Sequence, residues 1–327
     1  MKRRVICCLM SAVMLLTALT GCGGKTESMN GENAQVEGSE ASPEAGAQEE
    51  AASGKTNLRI AVNMDAPGFC PYTSGYNVSS AIVVRNVYET LINMDADGNL
   101  YPGLATEWEW GEGNMSVILT LREGVKFSNG EDFNADSVIY SLKDYRGKTA
   151  VGGEGESLYD FDNMKKLDDF KVEIPLKRAG SDALITLADQ MYCICSKQAA
   201  EEFGADYPNN PVGTGPYKFV SFTSGVGAKM EANEDYWGGA PVIKEVETVL
   251  ISEGSQAEIE LESGNIDLVT SPENIEVDRI KNGEVSGLKV LTLPSALVKN
   301  VWFNFRQEAI QDVNVRKAIC CAIDKEA

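Results

Sequence analysis

The chain has 327 residues, with 49 acidic against 29 basic side chains, a net charge of −20 and no histidine. Such an excess of negative charge excludes a nucleic-acid partner, because phosphate backbones would repel it, and argues against attachment through anionic lipid headgroups. Without an imidazole, Ser-His-Asp and Cys-His catalysis, His-ligated zinc and His general-base chemistry are all unavailable, so an enzyme would have to rely on carboxylates, Lys, Tyr or Ser.

In chain order, Lys2, Arg3 and Arg4 precede an apolar run over 5–19. A run of about 15 residues is short of the roughly 20 that span a bilayer. It closes on Leu19-Thr20-Gly21-Cys22, small residues ahead of a cysteine, so 1–21 reads as an export signal cleaved before Cys22. The tetrapeptide resembles the bacterial lipobox, which implies a diacylglycerol on the Cys22 sulfur and attachment to the membrane through that lipid. Residues 23–56 contain seven Glu, two Lys and no aromatic residue. A stretch of that composition cannot bury enough apolar surface to offset its ordering entropy, so 22–56 reads as a disordered acidic tether. The folded body then starts at 57, long enough for about two domains.

Within the body, Leu58, Ile60 and Val62 share one face of a strand. The loop that follows carries Phe69, Tyr72, Tyr76 and Asn77, candidate ligand contacts because open α/β sheets bind ligands outside the carboxyl ends of their strands. Val83, Val84, Val87, Tyr88 and Leu91 predict an amphipathic helix over 79–92. Residues 90–93 and 100–101 read as a hairpin about Asp95 to Gly98, with Gly98 supplying positive φ. The same stretch fails as a calcium loop, since Leu104 stands where a bidentate Glu is needed. Met115, Val117, Leu119 and Leu121 alternate as a half-buried strand should. Asn134 caps a helix with Val138, Ile139 and Leu142 on its apolar stripe. Gly147-Lys148-Thr149 is no phosphate loop, because position 142 is Leu142.

Five cysteines remain in the body, Cys70, Cys193, Cys195, Cys320 and Cys321. Residues 191–195 (MYCIC) look strand-like, with Cys193 and Cys195 on one face. Two sulfurs without two further ligands do not make a zinc site, so no metal and no cofactor is expected and buried thiols are the reading. Further on, residues 255–258 (SQAE) have the form of a capping box, Gly264 closes that helix, and 266–269 start a strand. The succession of strands and helices indicates α/β architecture.

Nine segments then stand in one order: 88–91 YETL, 101–108 YPGLATEW, 121–130 LREGVKFSNG, 134–138 NADSV, 212–217 VGTGPY, 233–237 NEDYW, 263–267 SGNID, 312–319 DVNVRKAI and 322–326 AIDKE. Together they resemble the bacterial extracellular solute-binding proteins, family 5, of peptide and nickel ABC importers, with Thr90 in place of the family's usual Gly. The resemblance implies a two-lobed, periplasmic-binding-protein-like α/β fold of type II with an extra subdomain in lobe I, closing on its ligand about a hinge. Lobe I would hold 57–76 and 185–298, the inserted subdomain 77–184, and lobe II would start at 299–327, where 300–305 (NVWFNF) looks like a crossover strand. Phe303 and Asn304 are candidate ligand contacts there. Gly213, Thr214, Gly215, Pro216 and Tyr217 are expected to shape backbone. In the last helix Asp312 is the expected cap, Ala318, Ile319, Ala322 and Ile323 the buried stripe, and Arg316 and Lys317 surface charges. The family's chain runs on well past this helix, so the sequence is expected to be partial, with lobe II largely missing. The implied function is an extracytoplasmic, lipid-anchored monomer that hands a peptide to an ABC permease and ATPase. A nickel chelate or oligosaccharide as ligand is the alternative, and an anchored signalling receptor a further one.

Overall fold

The computed structural model describes residues 54–70, 72, 77–146, 157–292 and 301–324. Tyr76, Cys22, the signal and most of the tether lie outside them. In chain order the elements are β1 (Asn57–Val62), α1 (Val78–Val87), β2 (Ile92–Met94), β3 (Leu100–Pro102), β4 (Ala105–Trp110), β5 (Ser116–Leu121) and α2 (Ala135–Ile139). Next come β6 (Lys165–Asp168), β7 (Lys171–Pro175), α3 (Asp182–Leu187), α4 (Lys197–Phe203), β8 (Tyr217–Thr223), β9 (Gly227–Ala232) and β10 (Glu245–Leu250). The described residues end with α5 (Gly254–Glu262), β11 (Leu268–Val269), α6 (Asn274–Lys281), α7 (Glu308–Gln311) and α8 (Val313–Ala322).

β1 is a central strand, and its sequence says why. Leu58 and Ile60 pack with the α1 residues Val83, Val84 and Val87, whereas Ala61 packs with Ala257 of α5 and Ile266 on the opposite face. A strand covered on both sides is apolar at successive positions. It lies between β10 and β11, parallel to both, with Ala61 opposite Val249 and Val269. The five-stranded sheet runs β11-β1-β10-β9-β8, its last two strands joining antiparallel.

A second, antiparallel sheet runs β4-β5-β7-β6. Its buried face carries Val117, Leu119, Leu121, Val172 and Ile174 against Val138 and Leu142. Asn134 opens α2 by a reciprocal cap: its side chain accepts from Asp136 N and Ser137 N, and Ser137 Oγ accepts from Asn134 N. The β2–β3 ribbon turns at Asp95, whose carboxylate accepts from Asp97 N at 2.9 Å, Asn99 N at 2.8 Å and Asn99 Nδ2 at 2.9 Å. Gly98 there has φ +86°, the left-handed region that glycine enters freely.

Several sequence expectations require correction. The helix expected over 79–92 ends at Val87, because Tyr88 is extended (φ −106°, ψ 158°), and it packs on the five-stranded sheet although the resemblance put 77 onward in the inserted subdomain. Met115 is exposed and β5 starts at Ser116. Residues 191–195 are no strand: Asp189 caps a short 3-10 turn, Gln190–Tyr192, and only Ile194 forms a bridge, with Glu89. The box expected at 255–258 does not form, since α5 starts at Gly254 after Glu253 and Glu258 turns toward Glu276 of α6. Residues 301–304 carry no strand pairing, and Trp302 is 88% exposed. Asp312 does cap α8, but of the expected stripe Ile319 is only half-buried and Ala318, Ala322 and Ile323 are exposed. Arg316 is not a bare surface charge: it donates to the Ile310 and Gln311 carbonyls at 2.7 and 2.8 Å and covers the Phe305 ring.

Candidate functional site

β1, β10 and β11 end at one edge of the five-stranded sheet, and β8, two antiparallel steps from β10, ends there too. The carboxyl edge of such a sheet is where open α/β folds take ligands. Past Val62 the chain of β1 goes on as Asn63, Met64 and Asp65, beyond the ladder to either neighbour. The last ties to those neighbours are Ile251 N to Val62 O at 2.9 Å and Thr270 Oγ1 to Ala61 O at 3.2 Å. Asn63 and Met64 are exposed, and neither forms a backbone hydrogen bond to another described residue.

This projecting stub is held by side chains from two other elements. Asn77 Nδ2 donates to Asp65 O at 2.8 Å, Ser79 Oγ to Met64 O at 2.6 Å and Ser80 Oγ to Gly68 O at 2.7 Å. The Asp65 carboxylate reaches the β8–β9 turn, accepting from Ser224 Oγ at 2.5 Å and Gly225 N at 3.0 Å.

The residues singled out from sequence fare differently. Phe69 and Tyr72 are core, not rim. Phe69 meets Phe222 edge-on at 5.1 Å and Phe219 at 5.3 Å, while Tyr72 donates to Cys193 O and packs on Tyr145 at 5.8 Å. Both rings are at most 1% exposed, the outcome that large aromatic areas favour once a sheet face is available. Asn77 is the N-cap of α1, accepting from Ser80 N at 2.9 Å. Phe303 is half-buried and Asn304 exposed, with Asn304 Oδ1 accepting from Arg306 N. Nothing brings them to the β1 edge among the described contacts. Asn63, Met64 and Asp65 went unnoticed in the sequence, although their position, directly after an apolar run that ends a strand, was the available signal.

A separate cluster gathers at the other end of α1, about 15 Å away for a helix of ten residues. Glu89 Oε2 accepts from Thr214 Oγ1 at 2.8 Å and Trp237 Nε1 at 2.9 Å, and Oε1 accepts from Tyr236 OH at 2.7 Å. Burial pushes this carboxyl above its ordinary range, opposed by those donors and by Arg122, whose guanidinium lies 4.0 Å over Trp237. Glycine is needed beside it: a Cβ on Gly213 or Gly215 would collide with the Val87 carbonyl, and Gly215 N donates to that oxygen at 2.9 Å. Pro216 O accepts from Asn233 N, and Tyr217 OH donates to Ile243 O. Three of the resembling segments, YETL, VGTGPY and NEDYW, thus meet on one carboxylate. It borders an open cavity of ≈ 1040 Å³ that Arg85, Tyr101, Asp189 and Tyr236 also line.

Comparison with known proteins agrees with this architecture. The family model described as "Bacterial extracellular solute-binding proteins, family 5 Middle" matches residues 99–327. The dipeptide-binding protein of Escherichia coli K12 is 27% identical over 286 residues, covering 80% of this chain and 52% of that protein. The oligopeptide-binding protein AppA of Bacillus subtilis is 25% identical over 336 residues, covering 100% of this chain and 59% of that protein. Among solved structures, NikZ from Campylobacter jejuni in complex with Ni(L-His) superposes with a TM-score of 0.72 at 26% identity, over 84% of this chain and 54% of that one. The chain therefore spans about half the length of the relatives it matches. With the family model covering most of its length and the α/β fold shared, the chain belongs to the bacterial extracellular solute-binding proteins of family 5.

Proposed function

We propose that the protein captures a solute outside the cytoplasm and delivers it to the permease and ATPase of an ABC importer, and that the solute is a peptide. The observation that carries this reading is the stub at Asn63 and Met64, exposed at the carboxyl edge and with no backbone–backbone hydrogen bond to another described residue. An extended peptide can add to such an edge through its main chain, leaving its side chains to be read by permissive pockets. The names of the dipeptide- and oligopeptide-binding relatives support the same class of ligand. Tyr76, Phe303 and Asn304 remain candidates for the opposing wall, together with whatever a second lobe contributes.

Cys22 is the proposed lipid anchor and 22–56 the tether, holding a monomeric receptor on the outward face of the membrane. No helix among the described residues is long and apolar enough to cross a membrane. A second reading, a small metal chelate as ligand, is favoured by the likeness to NikZ with its bound Ni(L-His). Calorimetric titration of the ligand-stripped full-length protein with di-, tri- and pentapeptides, and separately with nickel and histidine, decides between them. Saturable heat from peptides alone supports the proposal, and saturation by the chelate alone replaces it.

A further inference from the structure

The loop that follows β1 is tied down more heavily than an exposed loop of its length requires. Three side chains from the first turns of α1 hold its carbonyls, Asn77 on Asp65, Ser79 on Met64 and Ser80 on Gly68. Those ties come from the segment that directly continues the loop, so they fix its path locally. The Asp65 carboxylate differs, because its partners Ser224 and Gly225 are 159 and 160 positions away in the chain. In the sheet β10 and β9 stand between β1 and β8, so this carboxylate bridges the end of the sheet from its centre to its outermost hairpin.

The hairpin is built to be reached. Val226 O accepts from Leu250 N at 2.7 Å, which draws the turn over the end of β10. Gly225 has φ +79°, a left-handed conformation that glycine adopts at no steric cost, and it presents its N–H to Asp65. Val226, next in the turn, is 60% exposed, and Met64, next to Asp65, is 43% exposed.

We infer that Asp65 is a positioning residue for the ligand edge: its carboxylate latches the Asn63–Met64 stub to the β8–β9 turn, so that the main chain meets a peptide already ordered. This rests on the peptide reading above, and it assigns Asp65 no contact with the ligand. A loop ordered beforehand does not lose that freedom on binding, and affinity gains accordingly. Asp65→Ala removes both contacts to the turn, together with the local one from Ala66 N to Oδ1 at 3.1 Å. Ser224 Oγ and Gly225 N share Oδ2, so Asp65→Asn can keep both on its amide oxygen but without the charge, and Ser224→Ala keeps the Gly225 contact; each retains part of the latch.

Two readouts test this on the full-length protein, with Asp95→Ala in the distant β2–β3 turn as a control that also strips a carboxylate from a loop. Hydrogen exchange at Gly225, whose N–H donates to the Asp65 carboxylate, should speed up in Asp65→Ala, by less in Asp65→Asn and Ser224→Ala, and not at all in Asp95→Ala. Trialanine affinity should weaken about tenfold in Asp65→Ala, the factor that reordering roughly one backbone residue implies, and stay unchanged in Asp95→Ala. Unchanged exchange at Gly225 in Asp65→Ala overturns the latch. Faster exchange with unchanged affinity overturns its positioning role. If trialanine fails to bind the unmodified protein, the choice of peptide ligand is what falls, while exchange still decides the latch.

Discussion

Removing the Glu89 carboxylate tests whether the convergence of YETL, VGTGPY and NEDYW is held by hydrogen bonds or by charge. Glu89→Ala strands three donors, Thr214 Oγ1, Trp237 Nε1 and Tyr236 OH. A donor left unsatisfied in the interior costs about 1–3 kcal/mol. Tyr236 and Trp237 are half-buried and the neighbouring cavity is open to water, so the low end applies and the total is about 3 kcal/mol. Glu89→Gln is different. Its carbonyl oxygen accepts from Thr214 and Trp237, its amide donates to the Tyr236 hydroxyl, which can act as acceptor, and a buried charge is removed. The expected cost is within about 1 kcal/mol, the loss being the counter-charge to Arg122. Urea unfolding followed by tryptophan fluorescence measures both. The pH dependence gives an independent check: because burial raises the Glu89 pKa in the folded state, the native protein keeps a proton that the unfolded chain has lost. Stability then falls as pH rises out of the ordinary carboxylate range, and Glu89→Gln should lack that slope. A glutamine variant as unstable as the alanine one would refute the hydrogen-bond account.

Three further outcomes are expected. Glu258 is pushed up to about 7 by burial, then by its hydrogen bond and repulsion with Glu276, so between the ordinary carboxylate range and that pH stability should decline with rising pH; Glu258→Gln should flatten this in denaturant titrations at stepped pH. Asn134→Ala, which removes both acceptor contacts at the start of α2, should cost about 1 kcal/mol in the same assay. Cys193 and Cys195 are buried, and burial pushes both thiols up, Cys195 to about 12. With little thiolate to react, both should resist iodoacetamide until denaturant is added, which peptide mass mapping can follow.

Periodicity carried much of the fold into view. Leu58 to Val62, the alternation at Val117, Leu119 and Leu121, and the Asn134 cap each depend on neighbours in sequence, and local rules suffice for them. The site was less legible, for a physical reason. Phe69 and Tyr72 suggest ligand contact as a composition of loop aromatics, but whether a ring faces solvent or core depends on Phe219, Phe222 and Tyr145, all more than 70 positions away. Asn77 offered a side chain that could serve either ligand or helix, and the helix start took it. Glu89 had no signature of its own beyond its segment, because its partners come from two later segments that only the fold brings together. Asp65 likewise gains its meaning from Ser224 and Gly225. The apolar stripe expected on α8 follows from the same kind of pattern, yet a pattern names a face without naming its cover.

The most direct test of solute capture is native mass spectrometry of the full-length protein, purified from the membrane fraction without denaturant, followed by sequencing of whatever is released on unfolding. The account predicts bound material that fragments as peptide and is displaced by added trialanine. Release of a non-peptide solute alone, with no peptide able to displace it, would contradict it.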